Sequence, residues 1–171
     1  MVALFLPNPP LTDMLYYNQI DHKEDTMNHN DQMKHYYERC DMSQIKGHLK
    51  ELLHEAQQEI EEIEVNAIDL EKMVLIDVRE YDEFASGVIP AQKVFTIPRG
   101  KLEFAVDDTL VGLSDHTIVC YCLKGARGLM AAMTLKKLGF KHVVNLKGGI
   151  ENWVGEGKSI RNYLGLFTLS R

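Results

Sequence analysis

The residues best suited to chemistry lie in the stretch Cys122-Leu123-Lys124-Gly125-Ala126-Arg127-Gly128. A cysteine follows the apolar run Ile118 to Tyr121, and a lysine and an arginine stand just after it. No position from Leu123 to Gly128 is proline, so each keeps its backbone N–H. Such a loop, entering a helix whose first N–H groups have no internal partner, forms a cradle for an anion. Positive charge and N–H donors beside a thiol favour the thiolate, which is the nucleophilic form. Cys122 is therefore the candidate nucleophile. Leu123, Lys124, Gly125, Ala126, Arg127 and Gly128 are the candidate substrate-binding residues, with Lys124 and Arg127 supplying charge. Cys120 lies two positions earlier on the same strand face and reads as a buried, inert thiol. His22, His29, His35 and Cys40 match no zinc spacing, and no metal ligands are assigned.

The elements that must position this loop can be read from periodicity and punctuation. Thr117 to Tyr121 is a β-branched, apolar strand, and Leu129 to Leu138 a helix stopped by Gly139. Met73 to Val78 is apolar apart from Asp77, the pattern of a strand buried on both faces of a parallel sheet. Asp77 and Arg79 fall at its carboxyl end, where open α/β sheets hold their ligands. Glu80 to Ser86 reads as a short helix ended by Gly87. Lys93 to Ile97 reads as a strand ended by Pro98, and His142 to Leu146 as a last strand. Gly148-Gly149 then turns into a helix bearing Trp153. Upstream, Ile45, Leu49, Leu52, Ala56, Ile60 and Ile63 recur at helical intervals, with Ser43 as the expected N-cap. Ile63 to Val65 is expected to be a short edge strand, and Asn66 to cap a short helix through Leu70. Alternating strands and helices predict an α/β sandwich around a central, mostly parallel sheet.

Composition bounds the rest. A chain of 171 residues with 45% hydrophobic content can bury one core. A net charge of −6 argues against a nucleic-acid or anionic-membrane partner. Three cysteines without a C-x-x-C pair suit a reducing compartment rather than a disulfide framework. No run approaches the ~18 apolar residues of a membrane span. The apolar start has no lysine or arginine before Lys23, so a cytoplasmic location is expected. Residues 1–41 hold three basic and seven acidic residues and no long apolar face, and are expected to form a polar extension, partly disordered or helical. Residues 42–61 are expected to be an N-terminal helix, 62–157 the cysteine-bearing domain over which the family resemblance given below extends, and 158–171 a tail. Met42 is a plausible alternative start.

Cys122-Leu123-Lys124-Gly125-Ala126-Arg127 resembles the active-site loop of rhodanese-like sulfurtransferases, in which a cysteine opens a six-residue loop with glycine fourth and arginine sixth. Leu75-Ile76-Asp77-Val78-Arg79-Glu80, Gly87-Val88-Ile89-Pro90-Ala91, Leu138-Gly139-Phe140 and Leu146-Lys147-Gly148-Gly149-Ile150-Glu151-Asn152-Trp153 resemble that family's flanking segments, in its order. Val88 and Ala91 depart from it, standing where the family often has histidine and glycine. Pro98-Arg99-Gly100-Lys101-Leu102-Glu103-Phe104 resembles a piece found in some bacterial single-domain members, which adds Arg99 to the substrate-binding residues. The likeness implies a three-layer rhodanese fold in a single module, with Asp77 and Arg79 bracing the site.

It also implies that Cys122 takes sulfane sulfur from a small anionic donor such as thiosulfate, holds it as a persulfide, and passes it to a thiol or protein acceptor, or to cyanide in vitro. No cofactor is implied. Two rivals remain: a sulfur-carrier or docking module without turnover, and a phosphatase or arsenate reductase of the same fold. The latter's loop has five residues between cysteine and arginine, where this chain has Leu123 to Ala126.

Overall fold

A computed structural model describes residues 40–169, all within the second of the two units of the chain, 35–171. The expectations for residues 1–39, including His22, His29 and His35, lie outside the described residues.

The chain enters through a 3-10 turn, Met42–Gln44, capped by the Asp41 carboxylate, which accepts from the Ser43 N–H at 2.9 Å. Helix α1 is His48–Glu59, starting after Gly47, whose φ of 64° ends the preceding turn. Ser43 was the expected N-cap, yet it sits inside the 3-10 turn, and the helix is shorter than the predicted 42–61. The positive-φ glycine between them is what separates the two.

The strands are β1 (Glu62–Ile63), β2 (Val74–Asp77), β3 (Lys93–Thr96), β4 (Thr117–Tyr121) and β5 (His142–Leu146). They form one parallel sheet in the order β1-β5-β4-β2-β3. A 3-10 turn, Val65–Ala67, stands where a short helix through Leu70 was expected. The intervening helices are α2 (Tyr81–Phe84), α3 (Leu102–Ala105), α4 (Ala126–Lys137) and α5 (Gly149–Gly155). All four residues of β2 are buried, as are Ile118 to Tyr121 of β4, which explains their unbroken apolar runs.

Alternation divides those strands between two cores. Val74, Ile76, Ile118 and Cys120 pack with Leu53, Ala56 and Ile60 from the α1 segment and with Leu129, Ala132 and Leu135 of α4. Leu75, Val119 and Tyr121 pack on the opposite face with Ile150 and Trp153 of α5. The result is an α/β fold with a parallel five-strand sheet between two helical layers.

The segment after α5 returns to the domain. It forms an antiparallel hairpin, β6 (Ile160–Asn162) with β7 (Gly165–Phe167). Val88 and Arg161 exchange backbone hydrogen bonds of 2.8 Å in each direction, and the Trp153 indole donates to the Ser159 carbonyl at 2.8 Å. Ile160 is buried in the α5-side core.

Topology places the site. From β2 the chain moves outward to β3, then returns to β4 on the other side of β2 and continues outward to β5. The connections leaving β2 and β4 thus run in opposite directions, and a crevice opens at their carboxyl ends. Asp77 ends β2 opposite Tyr121, and Cys122 is the next residue.

Candidate active site

Cys122 is 1% exposed, and its Sγ accepts the Gly125 N–H at 3.2 Å. That geometry depends on Gly125, which caps α4 with a φ of 105° that a residue bearing a Cβ rarely adopts. The loop is clamped from below by the start of α5. The Cys122 carbonyl accepts the Ile150 N–H at 2.9 Å, and the Leu123 carbonyl accepts the Glu151 N–H at 3.1 Å. Gly149 lets these chains meet: a Cβ there would fall on both carbonyls, and its φ is 63°. Leu123 is half-buried against the α5-side core. Gly128 is buried too, with Asn145 and Tyr121 where a Cβ would stand, so it permits close helix–strand approach.

Arg127 leaves the first turn of α4 and meets Glu83 of α2. Its Nη1 and Nη2 donate to the two carboxylate oxygens at 2.7 and 2.8 Å. Burial alone would raise the Glu83 carboxyl, but the Arg127 hydrogen bonds and the Glu80 N–H bring it below the ordinary glutamate value. Glu83 also completes a capping box with Glu80.

Arg79 holds the same segment from the sheet side. Its guanidinium donates to Asp77 Oδ2 at 2.6 Å, to the Gly87 carbonyl at 2.6 Å and to the Glu83 carbonyl at 3.0 Å. Asp77 is fully buried, so burial pushes its carboxyl up while Arg79 opposes the shift. Asp77, Arg79, Glu83 and Arg127 thus form a continuous polar chain from the end of β2 to the cysteine loop.

A cavity of about 340 Å³ opens over the thiol. Ile45 and Leu49, Leu53 of α1 line it with Ala126 and Met130 of α4. Arg99 and Arg127 supply its charged groups, and Cys40 completes the wall with Cys122. Arg99 is held by Glu103 and by the Thr134 hydroxyl, both at 2.8 Å. The structure therefore gathers Cys122, Ala126, Arg127 and Arg99, with Gly125 behind the sulfur. Lys124 goes elsewhere. It lines a separate cleft with Glu64, Lys147 and Glu151, its Nζ 3.8 Å from the Glu151 carboxylate. Cys120 is fully buried, and burial pushes its thiol well above the ordinary range.

Sequence reasoning missed Glu83, Gly149, the α1 residues of the cavity and Cys40. The Glu80–Glu83 spacing signalled a capping box; nothing local signalled the pairing with Arg127, 44 positions away.

The sequence model of the rhodanese-like domain matches residues 53–156, more than half of the chain. The chain belongs to the rhodanese-like domain family. This rhodanese-like chain is 36% identical over 86 residues to a putative sulfur carrier protein of Bacillus subtilis, covering 50% of this chain and 44% of that protein. It is 33% identical over 92 residues to a sulfurtransferase of Allochromatium vinosum, covering 54% of this chain and 81% of the relative. Among solved structures it is similar to a protein of unknown function from Rhodopseudomonas palustris, described as a possible tyrosine phosphatase. That likeness has a TM-score of 0.58 and 29% identity over 68% of this chain and 96% of the other. These two relatives are thus described as a sulfurtransferase and a putative sulfur carrier. Among the described residues, no helix is long and apolar enough to cross a membrane.

Proposed function

We propose that this protein is a sulfurtransferase that carries sulfane sulfur as a persulfide on Cys122. The Cys122 thiolate attacks the sulfane sulfur of thiosulfate or an organic persulfide. With thiosulfate, the donor's S–S bond breaks, and sulfite leaves with the electron pair. An acceptor thiolate, or cyanide in vitro, then attacks the outer sulfur and releases Cys122 as thiolate. The observation that carries this reading is the Gly125 N–H directed at Cys122 Sγ at the head of α4, beneath an open cavity. Backbone donors fixed before reaction stabilise negative charge on sulfur as an oxyanion hole does on oxygen.

Charge at the site is mostly balanced already. Arg127 shares its guanidinium with Glu83, and Arg99 with Glu103. The cavity wall is otherwise largely aliphatic, which also suits a donor or acceptor with an apolar body and one anionic end, such as an organic persulfide. Lys124, outside the cavity, acts on approaching anions only at longer range.

The experiment is steady-state kinetics with thiosulfate and cyanide. Parallel double-reciprocal lines are the expected ping-pong signature. A single round of loading without turnover would instead assign the carrier role.

A further inference from the structure

We propose, resting on the persulfide reading above, that Cys40 is a second sulfur station: it receives the outer sulfur from Cys122 inside the shared cavity and presents it to acceptors too large to enter. Three observations carry this. Cys40 and Cys122 line the same cavity of about 340 Å³, near the small end of small-molecule sites. The backbone next to Cys40 is fixed: the Asp41 carbonyl accepts the Gln44 N–H at 3.0 Å, its carboxylate accepts the Ser43 hydroxyl at 2.7 Å, and Ile45 is anchored in the core. The two thiols also differ in access, Cys122 being buried and Cys40 only half-buried.

The step balances without an oxidant. A persulfide S–S bond is about 2.05 Å long, so the outer sulfur on Cys122 extends into the cavity by that distance. Cys40, having given its proton to solvent, attacks this outer sulfur as thiolate. A new S–S bond forms to Cys40 Sγ, and the bond to Cys122 Sγ breaks, leaving the electron pair on Cys122. The departing thiolate already faces the Gly125 N–H, and a stabilised leaving thiolate departs faster. Attack on the inner sulfur would have to pass through the packed wall around Cys122, so hydrosulfide release with a Cys40–Cys122 disulfide is the disfavoured course. Cys120 cannot substitute, because it is sealed in the core.

The test uses the full chain and thiosulfate labelled in its outer sulfur, followed by alkylation and tryptic mapping. Cleavage after Arg39 and Lys46 isolates Cys40 on its own peptide, while fragment spectra separate Cys120 from Cys122. The proposal expects label on both Cys122 and Cys40 in wild type. It expects label on Cys122 alone in Cys40→Ser, where that label itself reports a folded site. In Cys122→Ser, Cys40 should carry no label, because it takes sulfur only from Cys122. Label confined to Cys122 in wild type overturns the relay while leaving the persulfide reading intact. Label on Cys40 in Cys122→Ser, or a Cys40–Cys122 disulfide with labelled hydrosulfide released, overturns it as well. No label on any variant overturns the persulfide reading and the relay with it.

Discussion

Replacing Glu83 by glutamine isolates the charge of the clasp on Arg127. The amide keeps the shape of the side chain, and its oxygen can still accept the Glu80 N–H, so the capping box survives. Its nitrogen, however, faces an Arg127 N–H where the carboxylate offered a second acceptor at 2.8 Å. Removing one partner of a buried ion pair costs about 3–5 kcal/mol, and of an exposed pair under about 1 kcal/mol. With Arg127 20% and Glu83 9% exposed, the pair lies between these limits, and a loss of about 2 kcal/mol is expected. For a chain of this size that is roughly 4–8 °C in Tm.

The pH dependence has a definite sign. Glu83 titrates below its ordinary 4.5 when folded, so its contribution is fully present above about 4.5 and is lost as pH falls through the lower folded value. The Tm gap between wild type and Glu83→Gln should therefore be widest near neutrality and shrink below about pH 4. Circular-dichroism melts across that range measure it. A gap absent at pH 7, or unchanged at pH 3.5, would refute the assignment of a stabilising charge pair.

Three further outcomes follow from the same geometry. Gly149→Ala should reduce both Tm and transfer rate, because the new methyl falls on the Cys122 and Leu123 carbonyls; a variant with wild-type melting and rate contradicts the clamp. Arg99→Ala should lower kcat/KM for thiosulfate by about tenfold, the scale of one charge-assisted hydrogen bond. Lys124→Ala should change it less than about threefold, and the reverse order would move the anion site to the other cleft. The wild-type protein should show no measurable turnover of aryl phosphates, because its loop, with four residues between Cys122 and Arg127, directs the Gly125 N–H at the sulfur and offers less room for a phosphoryl group's three oxygens than a loop with five. Phosphatase activity through Cys122 as fast as its sulfur transfer would contradict that reading.

The legible parts of the chain were those whose information is local. The strand ending at Tyr121, the cysteine, the glycine-bearing loop and α4 are contiguous, so propensity and spacing sufficed to place them. The same holds for β2, whose apolar run is interrupted only by the buried Asp77. The parallel sheet followed from alternation, and the resemblance supplied the expectation that Asp77 and Arg79 brace the site.

What stayed hidden depends on contacts between distant residues. Arg127 looked like an exposed anion binder because nothing near it in sequence announces Glu83 as its partner. Gly148-Gly149 was readable as a turn, but not as the clamp on the Cys122 and Leu123 carbonyls. The helical periodicity from Ile45 onward was real, yet Gly47 overrode it and delayed α1 to His48. The tail's return through Val88 and Trp153 was equally invisible, since a three-residue strand has no pattern of its own.

The central claim is that Cys122, and no other cysteine, takes sulfur from the donor. Intact-protein mass after treatment with thiosulfate, comparing wild type with Cys122→Ser, tests it most directly. The account predicts that wild type gains sulfane sulfur that a reducing thiol removes, and that Cys122→Ser gains none. Sulfur persisting on Cys122→Ser would contradict it.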